Sequence, residues 1–275
     1  MRVVAVLAAY NEERFIRGCL EHLIGQGVEV YLIDNDSTDG TRDIAEEYVG
    51  RGLIGIERLA RNGNFSLRGQ LRRKEELYRR LAADWFMHVD ADEIHQTADG
   101  VTTLAESFAQ SEAAGYNAVN FIELTFVPTR EDADHDHPLY QETMRRYYPY
   151  LPELPHRLNA WKRQPGRVDL LSTGGHRVQF DGIRMDPKSL LMRHYLFLSR
   201  AHAVRKYTER SFDSVECADG WHGWRSRVDF RALPFPGRSE LKELSPTTPP
   251  DASEPLTMHL LELELARSSG GLESE

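Results

Sequence analysis

Apolar positions along the first part of the chain fall into short unbroken runs, and between them lie stretches with helical spacing. Residues 3–9 are all apolar and read as a buried strand. Asn11 then stands where a helix cap belongs, with two acids suited to a first turn, and Phe15, Cys19 and Leu23 recur at helical spacing beside Ile16, Leu20 and Ile24. Residues 28–33 predict a second strand, stopped by the turn and cap formers of 34–41, and a helix to about Tyr48 follows. A third strand is expected over 53–59. Leu67, Leu71, Tyr78 and Leu81 mark one face of a long helix whose other face is basic. Residues 85–93, a short apolar run ending in acids, give the fourth strand. Strands alternating with helices of these lengths predict an α/β fold, with a mostly parallel, Rossmann-like sheet flanked by helices and right-handed crossovers.

Beyond Glu93 the alternation weakens toward an α+β half. A helix is expected over 101–114, a strand over 116–127, a polar loop over 128–140, a strand over 190–198 and a helix over 200–212. From Pro234 the chain is Pro-rich and polar, and residues 256–266 could form an amphipathic helix. The organisation expected is one domain over 1–235, divided at 98/99, with a linker and tail over 236–275 whose removal near Ser239 leaves ligand binding unchanged.

Composition narrows the function. With 275 residues, 40% hydrophobic and 28% charged, the chain is an ordinary globular protein. Its net charge of −9, from 34 Lys+Arg against 43 Asp+Glu, argues against general affinity for nucleic acid or anionic membrane. Cys19 and Cys217 have no metal-type spacing and read as reduced thiols. The apolar start is too short for a signal segment, and no run reaches membrane-spanning length. A soluble cytoplasmic protein is expected.

Candidate chemistry gathers at three strand ends: Tyr10-Asn11-Glu12, Asp34 with Asp36, and Asp90-Ala91-Asp92. In a parallel sheet these ends share one edge, where open α/β sheets bind ligands. Asp90 and Asp92 are two apart, so in an extended backbone both leave from one side and can reach one hard divalent cation. A solvated turn or helix cap is the structural alternative. The Gly-rich dinucleotide and triphosphate loops are absent, which disfavours a dehydrogenase or a P-loop enzyme.

The segments Ala9-Tyr10-Asn11-Glu12-Glu13, Leu32-Ile33-Asp34-Asn35-Asp36-Ser37-Thr38-Asp39-Gly40-Thr41 and His88-Val89-Asp90-Ala91-Asp92-Glu93 resemble, in this order, the signatures of family 2 glycosyltransferases with the GT-A fold. The resemblance covers roughly the first third of the chain. It implies a nucleotide half that binds a nucleoside diphosphate sugar (UDP- or GDP-linked), with contacts from Ala9, Tyr10, Asn11, Glu13, Asp34, Asp36, Asp90 and Ala91. Tyr10 would pack near the base, and Asp34 and Asp36 would accept from base or ribose groups. Asp90 and Asp92 would form the Asp-x-Asp motif for Mn2+ or Mg2+. Arg68 and Arg72 could reach the phosphates, or could simply line a solvated basic face. Many inverting members carry a downstream Glu-Asp whose Asp deprotonates the acceptor; here the only one is Glu131-Asp132, so Asp132 is the candidate base. In a subgroup a late His completes the metal shell. His194 is the candidate for that role, with a hydrogen-bonded structural histidine as the alternative, and His176 is placed with the acceptor chemistry. The polar loop around Asp132 is expected to act as a mobile lid, and the aromatic cluster over 221–225 could stack on a sugar. Two other functions stay open. A sugar-nucleotide nucleotidyltransferase would need a Gly-rich basic loop after the first strand, which is missing, and a non-catalytic nucleotide-sugar-binding module would keep the fold without turnover. The acceptor is unidentified, and both stereochemical outcomes remain possible.

Overall fold

The opening apolar run forms β1 (Val3–Ala9), with every residue buried. α1 (Ile16–Gly25) follows and buries Ile16, Cys19, Leu20 and Leu23, the face its spacing predicts. Next come β2 (Val28–Asp34), α2 (Thr41–Glu46), β3 (Leu53–Arg58), α3 (Leu67–Arg80) and β4 (Trp85–Asp90). The chain continues through β5 (Glu93–Gln96), α4 (Leu104–Ala113), β6 (Ala118–Phe126), α5 (Tyr140–Thr143), β7 (Arg146–Tyr150) and β8 (Arg157–Lys162). It ends with β9 (Leu190–Tyr195), α6 (Arg200–Ala203), α7 (Ser214–Ala218) and β10 (Lys242–Glu243). The structure is a computed structural model that describes residues 1–208, 210–219, 221, 228–245 and 247–263. The sequence pattern did not predict β5, β7 and β8. The helix expected over 200–212 is the single turn α6 followed by a wider turn over Val204–Thr208.

The chain forms two compact units, Met1–Ile122 with Pro155–Arg193, and Glu123–Leu154 with His194–Glu275. In the first, β3, β2, β1 and β4 lie side by side in that order and all parallel, from Val3↔Val28 to Ala9↔Asp34 on one side of β1 and from Val3↔Trp85 to Ala8↔Asp90 on the other. β8 runs antiparallel to β4, and the beginning of β6 runs antiparallel to β8. From β1 the chain moves outward to β2 and β3, then crosses back through α3 to β4 on the opposite side. The strand order therefore reverses between β1 and β4, the switch point at which open α/β sheets have a crevice beyond the carboxyl ends of their strands.

A buried histidine fixes part of this unit's pH behaviour. His95 on β5 is fully buried, meets the Phe121 ring edge-on at 4.6 Å, and accepts at its carbonyl a 2.6 Å bond from the His22 ring. Burial, with His22, His88 and Arg157 nearby, lowers its pKa to about 3. The unfolded chain, with an imidazole near 6.5, then binds the proton that the folded state refuses. This contribution is complete above pH ~6.5 and is lost as pH falls toward ~3. The urea midpoint should drop between pH 7 and pH 5, and less so in His95→Leu. Equal pH dependence in both proteins would refute this assignment.

In the second unit the end of β6 pairs with β7 from Glu123↔Tyr150 to Phe126↔Tyr147, and β10 adds to β7. Val127, Tyr148, Phe197, Tyr207, Phe230 and Phe235 form its core together with Leu241, Leu260 and Leu261, from the stretch expected as linker and tail. The polar loop expected to be a lid is tied by backbone bonds: His135 N–H donates to Leu198 O at 2.8 Å, and Asp134 bridges Ser199. Asp136 also accepts from Arg205 at 2.5 Å. Within the aromatic cluster over 221–225, residues 222–225 lie outside the described residues. Among the described residues no helix is long and apolar enough to cross a membrane.

Candidate nucleotide and metal site

The register brings the predicted acids of the first unit to one edge. Asp34 pairs with Ala9 across β2 and β1, and Asp90 pairs with Ala8 across β4 and β1. Strands lie about 4.8 Å apart, so two strand spacings, ~10 Å, separate Asp34 from Asp90 along this edge. That span suits a nucleotide laid across the crevice.

Asp34 is buried, accepts from Ser37 N–H at 3.2 Å and lies 3.9 Å from the Arg42 guanidinium. Asp36 has φ 60 and accepts from Arg61 N–H at 2.7 Å and from Arg58. These bonds hold its carboxyl below the usual range. Arg61 in turn lays its guanidinium 3.6 Å from the Tyr10 ring centroid. A planar cation on an aromatic face makes a platform that a flat base can extend. Asn11 and Glu13 make contacts between two loops. Asn11 N–H donates to Ser37 Oγ and its Oδ1 accepts from Thr38 N–H at 2.8 Å, while Glu13 accepts from Gly40 N–H at 3.0 Å. Both side chains fasten the loop after β1 to the loop after β2. Arg68 sits in the first turn of α3, where Ser66 caps the helix by accepting from Gly69 N–H at 3.0 Å.

β4 ends at Asp90, so the extended geometry expected for Asp90 and Asp92 stops at its first member. Ala91 and Asp92 form a turn, closed by Glu93 accepting from Asp90 N–H at 3.1 Å. The Asp90 side chain is half exposed, while Ala91 and Asp92 are buried. Beneath Asp90 lies Lys74, 1% exposed, with Nζ 3.0 Å from Val89 O, 3.2 Å from His88 Nδ1 and 3.4 Å from Asp90 Oδ1. Burial lowers the Lys74 pKa, against the pull of Asp90 and Glu93. Desolvation and Asp92 push the Asp90 carboxyl up, but Lys74 and His88 outweigh them and the net shift is downward. His88 is held near 3 by burial and by Lys74, so its neutral ring accepts at Nδ1. Cys19 directs its thiol at Asp90 O, and burial pushes its pKa up.

Sequence reasoning missed Lys74, although it carries a signal: it lies three residues after Leu71 and four before Tyr78, a charge on the apolar stripe of α3. Glu75 and Gln70 were missed as well. Glu75 accepts from Leu170 and Leu171 N–H at 2.9 and 3.1 Å and so fixes the segment leading to Gly175, while Gln70 donates to Asn35. Gly175 has φ +86, and a Cβ there would stand 3.0 Å from Leu71 and 3.1 Å from His88 Nε2, so only glycine fits this close approach. His176 is exposed beside His156, with ring centroids 5.4 Å apart.

The remaining two candidates belong to the second unit. His194 is buried and its Nδ1 lies 2.7 Å from Glu123 Oε1. Asp132, half exposed, lies 3.7 Å from His135 Nε2 and 3.7 Å from Arg238. It lines a cleft of about 200 Å³ with Thr129, Thr143, Arg145 and Arg146.

Asp90 and Asp92 offer hard carboxylate oxygens at the strand end, one of them half exposed, which suits Mg2+ or Mn2+. Among the described residues no three His, Cys, Asp or Glu side chains already converge as a cage. Mg2+ is typically held by one or two carboxylates together with substrate phosphates, so the pair fits that mode of binding.

Acids and an aromatic platform at the switch point of a parallel sheet define an α/β domain of the nucleotide-binding, Rossmann-like type. Residues 4–163 match glycosyl transferase family 2, and the chain belongs to that family. No curated protein matches it. Among solved structures, Staphylococcus aureus TarS 1-349 in complex with UDP is 15% identical, with 78% of this chain and 68% of that chain covered at a TM-score of 0.43. The same fragment with UDP-GlcNAc is 20% identical over 47% of this chain and 35% of that one, at a TM-score of 0.34. Glucosyl-3-phosphoglycerate synthase from Mycobacterium tuberculosis, in complex with Mn2+, UDP and glucosyl-3-phosphoglycerate, is 18% identical, with 44% of each chain covered and a TM-score of 0.32. By that match the chain spans about a third of the TarS fragment with UDP-GlcNAc.

Proposed function

We propose that this chain is a metal-dependent glycosyltransferase that moves a sugar from a nucleoside diphosphate donor, UDP- or GDP-linked, to an acceptor hydroxyl. One observation carries the reading: Asp34 and Asp90 flank β1 at the switch point, with the Tyr10–Arg61 stack beside them. Asp90 and Asp92 would hold the cation, which would supply Lewis-acid stabilisation of charge on the departing diphosphate. Lys74 fixes Asp90 and adds a positive charge below it. Asp34 and Asp36 accept from base or ribose, Ala9 and Ala91 line the crevice with backbone, and Arg68 faces phosphate. Asp132 takes the acceptor proton if configuration inverts, and His176 belongs to acceptor binding. Thermal shift with UDP and with GDP, each with and without manganese, tests donor binding. Release of sugar from a donor panel separates an enzyme from a binding module. No metal-dependent stabilisation by either diphosphate would end this reading.

His194 serves a divalent cation in this proposal. A metal-bound imidazole usually donates its other ring N–H to a carboxylate, which orients the ring and raises its basicity. Glu123 is placed to accept that bond. Manganese titration with diphosphate present should show His194→Ala weakened by about tenfold or more, and His176→Ala close to the parent. The opposite ranking would exchange the two roles.

A further inference from the structure

The first unit carries a second cleft, of about 340 Å³, at the opposite edge of the sheet from Asp90. It is walled by Tyr78 and Arg79 from the last turn of α3, by Phe86 and Trp161, which pair across β4 and β8, and by the loop from Arg163 to Val168. Phe86 is the second residue of β4 and Asp90 the last, so about 13 Å of strand separates this cleft from the acids. No acidic residue lines it, although the chain as a whole carries a net charge of −9.

Three arginines, Arg79, Arg163 and Arg167, line this cleft. Arg167 bonds Glu75 at 3.1 Å, and Glu75 is already accepting from two backbone N–H groups. Arg79 and Arg163 have no carboxylate partner among the described residues. Arg79 near the end of α3 is explained in part by the helix dipole, which favours a cation there. Arg163 and Arg167 are not on that helix. The Pro165-Gly166 turn brings them together, and Arg163 N–H donating to Asp84 O at 2.7 Å anchors that turn. The wall also holds an unpaired polar group. Trp161 is fully buried in the wall, and its indole N–H has no acceptor. A buried donor without a partner costs about 1–3 kcal/mol.

We propose that this cleft is an anion site for a small phosphorylated compound, separate from the donor crevice and independent of whether the chain transfers sugars. Guanidinium forks match phosphate oxygens in paired hydrogen bonds, and the aromatic floor accepts the carbon skeleton. The volume lies at the lower end for ligand pockets and fits a sugar phosphate better than a dinucleotide.

The experiment is calorimetric titration of the full chain with inorganic phosphate and with a hexose phosphate, in EDTA so that metal-dependent diphosphate binding does not contribute. The expected result is saturable binding of the hexose phosphate, tighter than that of phosphate alone. In Arg79→Gln/Arg163→Gln it should be weakened by about tenfold or more, and in Trp161→Phe by a smaller factor. Both arginines are exposed, so the double variant should keep the parent's melting temperature and its manganese-dependent UDP binding. Phosphate and hexose phosphate binding equally would reduce the site to one for the free anion and overturn the sugar phosphate assignment. No saturable binding, or equal binding by parent and double variant, would overturn the proposal as a whole.

Discussion

Asp92→Asn should abolish manganese-dependent thermal stabilisation by the diphosphate and lower transfer by on the order of a hundredfold or more, a loss of at least ~2.7 kcal/mol of transition-state stabilisation. Asparagine keeps the shape of the aspartate and can keep one acceptor oxygen. The buried turn at Ala91-Asp92 therefore persists, while the charge that would hold a cation is gone. Asp90→Asn should differ in one respect. Besides the metal effect, it removes the carboxylate 3.4 Å from Lys74 and leaves that buried ammonium with only the neutral Val89 O and His88 Nδ1. Because the Asp90 side chain is half exposed, solvent screens the pair, and the extra cost should be on the order of 1 kcal/mol. Scanning calorimetry without metal separates the two variants: Asp92→Asn should melt close to the parent and Asp90→Asn below it. Parent-like metal and nucleotide binding in Asp92→Asn would show that the cation site lies elsewhere.

The alternation through β4 was readable chiefly because β1 and β4 are buried on both faces and so appear as nearly unbroken apolar runs. Val3–Ala9 and Leu67–Arg80 fall where the pattern puts them, and the acids sit at the strand ends because parallel topology leaves them nowhere else. The antiparallel strands were hidden for the opposite reason. β8 reads Arg-Leu-Asn-Ala-Trp-Lys, with Asn159 fully buried among its apolar residues, and β7 carries Pro149. Their stability comes from partners distant in sequence. Asn120, for example, accepts from the N–H groups of both His156 and Arg157 at 3.1 Å, and no local period encodes such a contact.

The residues named for the site were legible in the sequence, but the contacts each one makes were not, again for physical reasons. A carboxylate after a strand can serve a ligand or a loop, and the residue type alone does not distinguish them. Asp34 and Asp90 stay at the crevice, whereas the side chains of Asn11 and Glu13 are used to clamp two loops. Lys74 was hidden because it was read together with the other cations of α3 as part of the basic outer face. Only its position on the apolar stripe marks it as buried.

Truncation after Gly237 should leave a chain that no longer yields soluble, cooperatively melting protein. The Pro-rich composition beyond residue 234 predicts a dispensable tail, but Leu241, Leu260 and Leu261 are 8%, 7% and 0% exposed in the core of the second unit. Each buried leucine contributes about 1.5–3 kcal/mol, so the three together supply roughly 5–9 kcal/mol. Polar contacts go with them. Lys242 and Glu243 pair with Tyr147 and Arg146, Leu244 O accepts from the Arg145 guanidinium at 2.9 Å, and Asp251 N–H donates to the Tyr147 hydroxyl at 2.8 Å. Domain stabilities are typically ~5–15 kcal/mol, so losing this segment consumes most of the margin. A second truncation after residue 263 removes none of these groups and should behave like the parent. Soluble yield and the sharpness of the melting transition, measured for both, decide the matter. A Gly237 truncation that stays soluble and melts cooperatively would show that the second unit stands without its leucines.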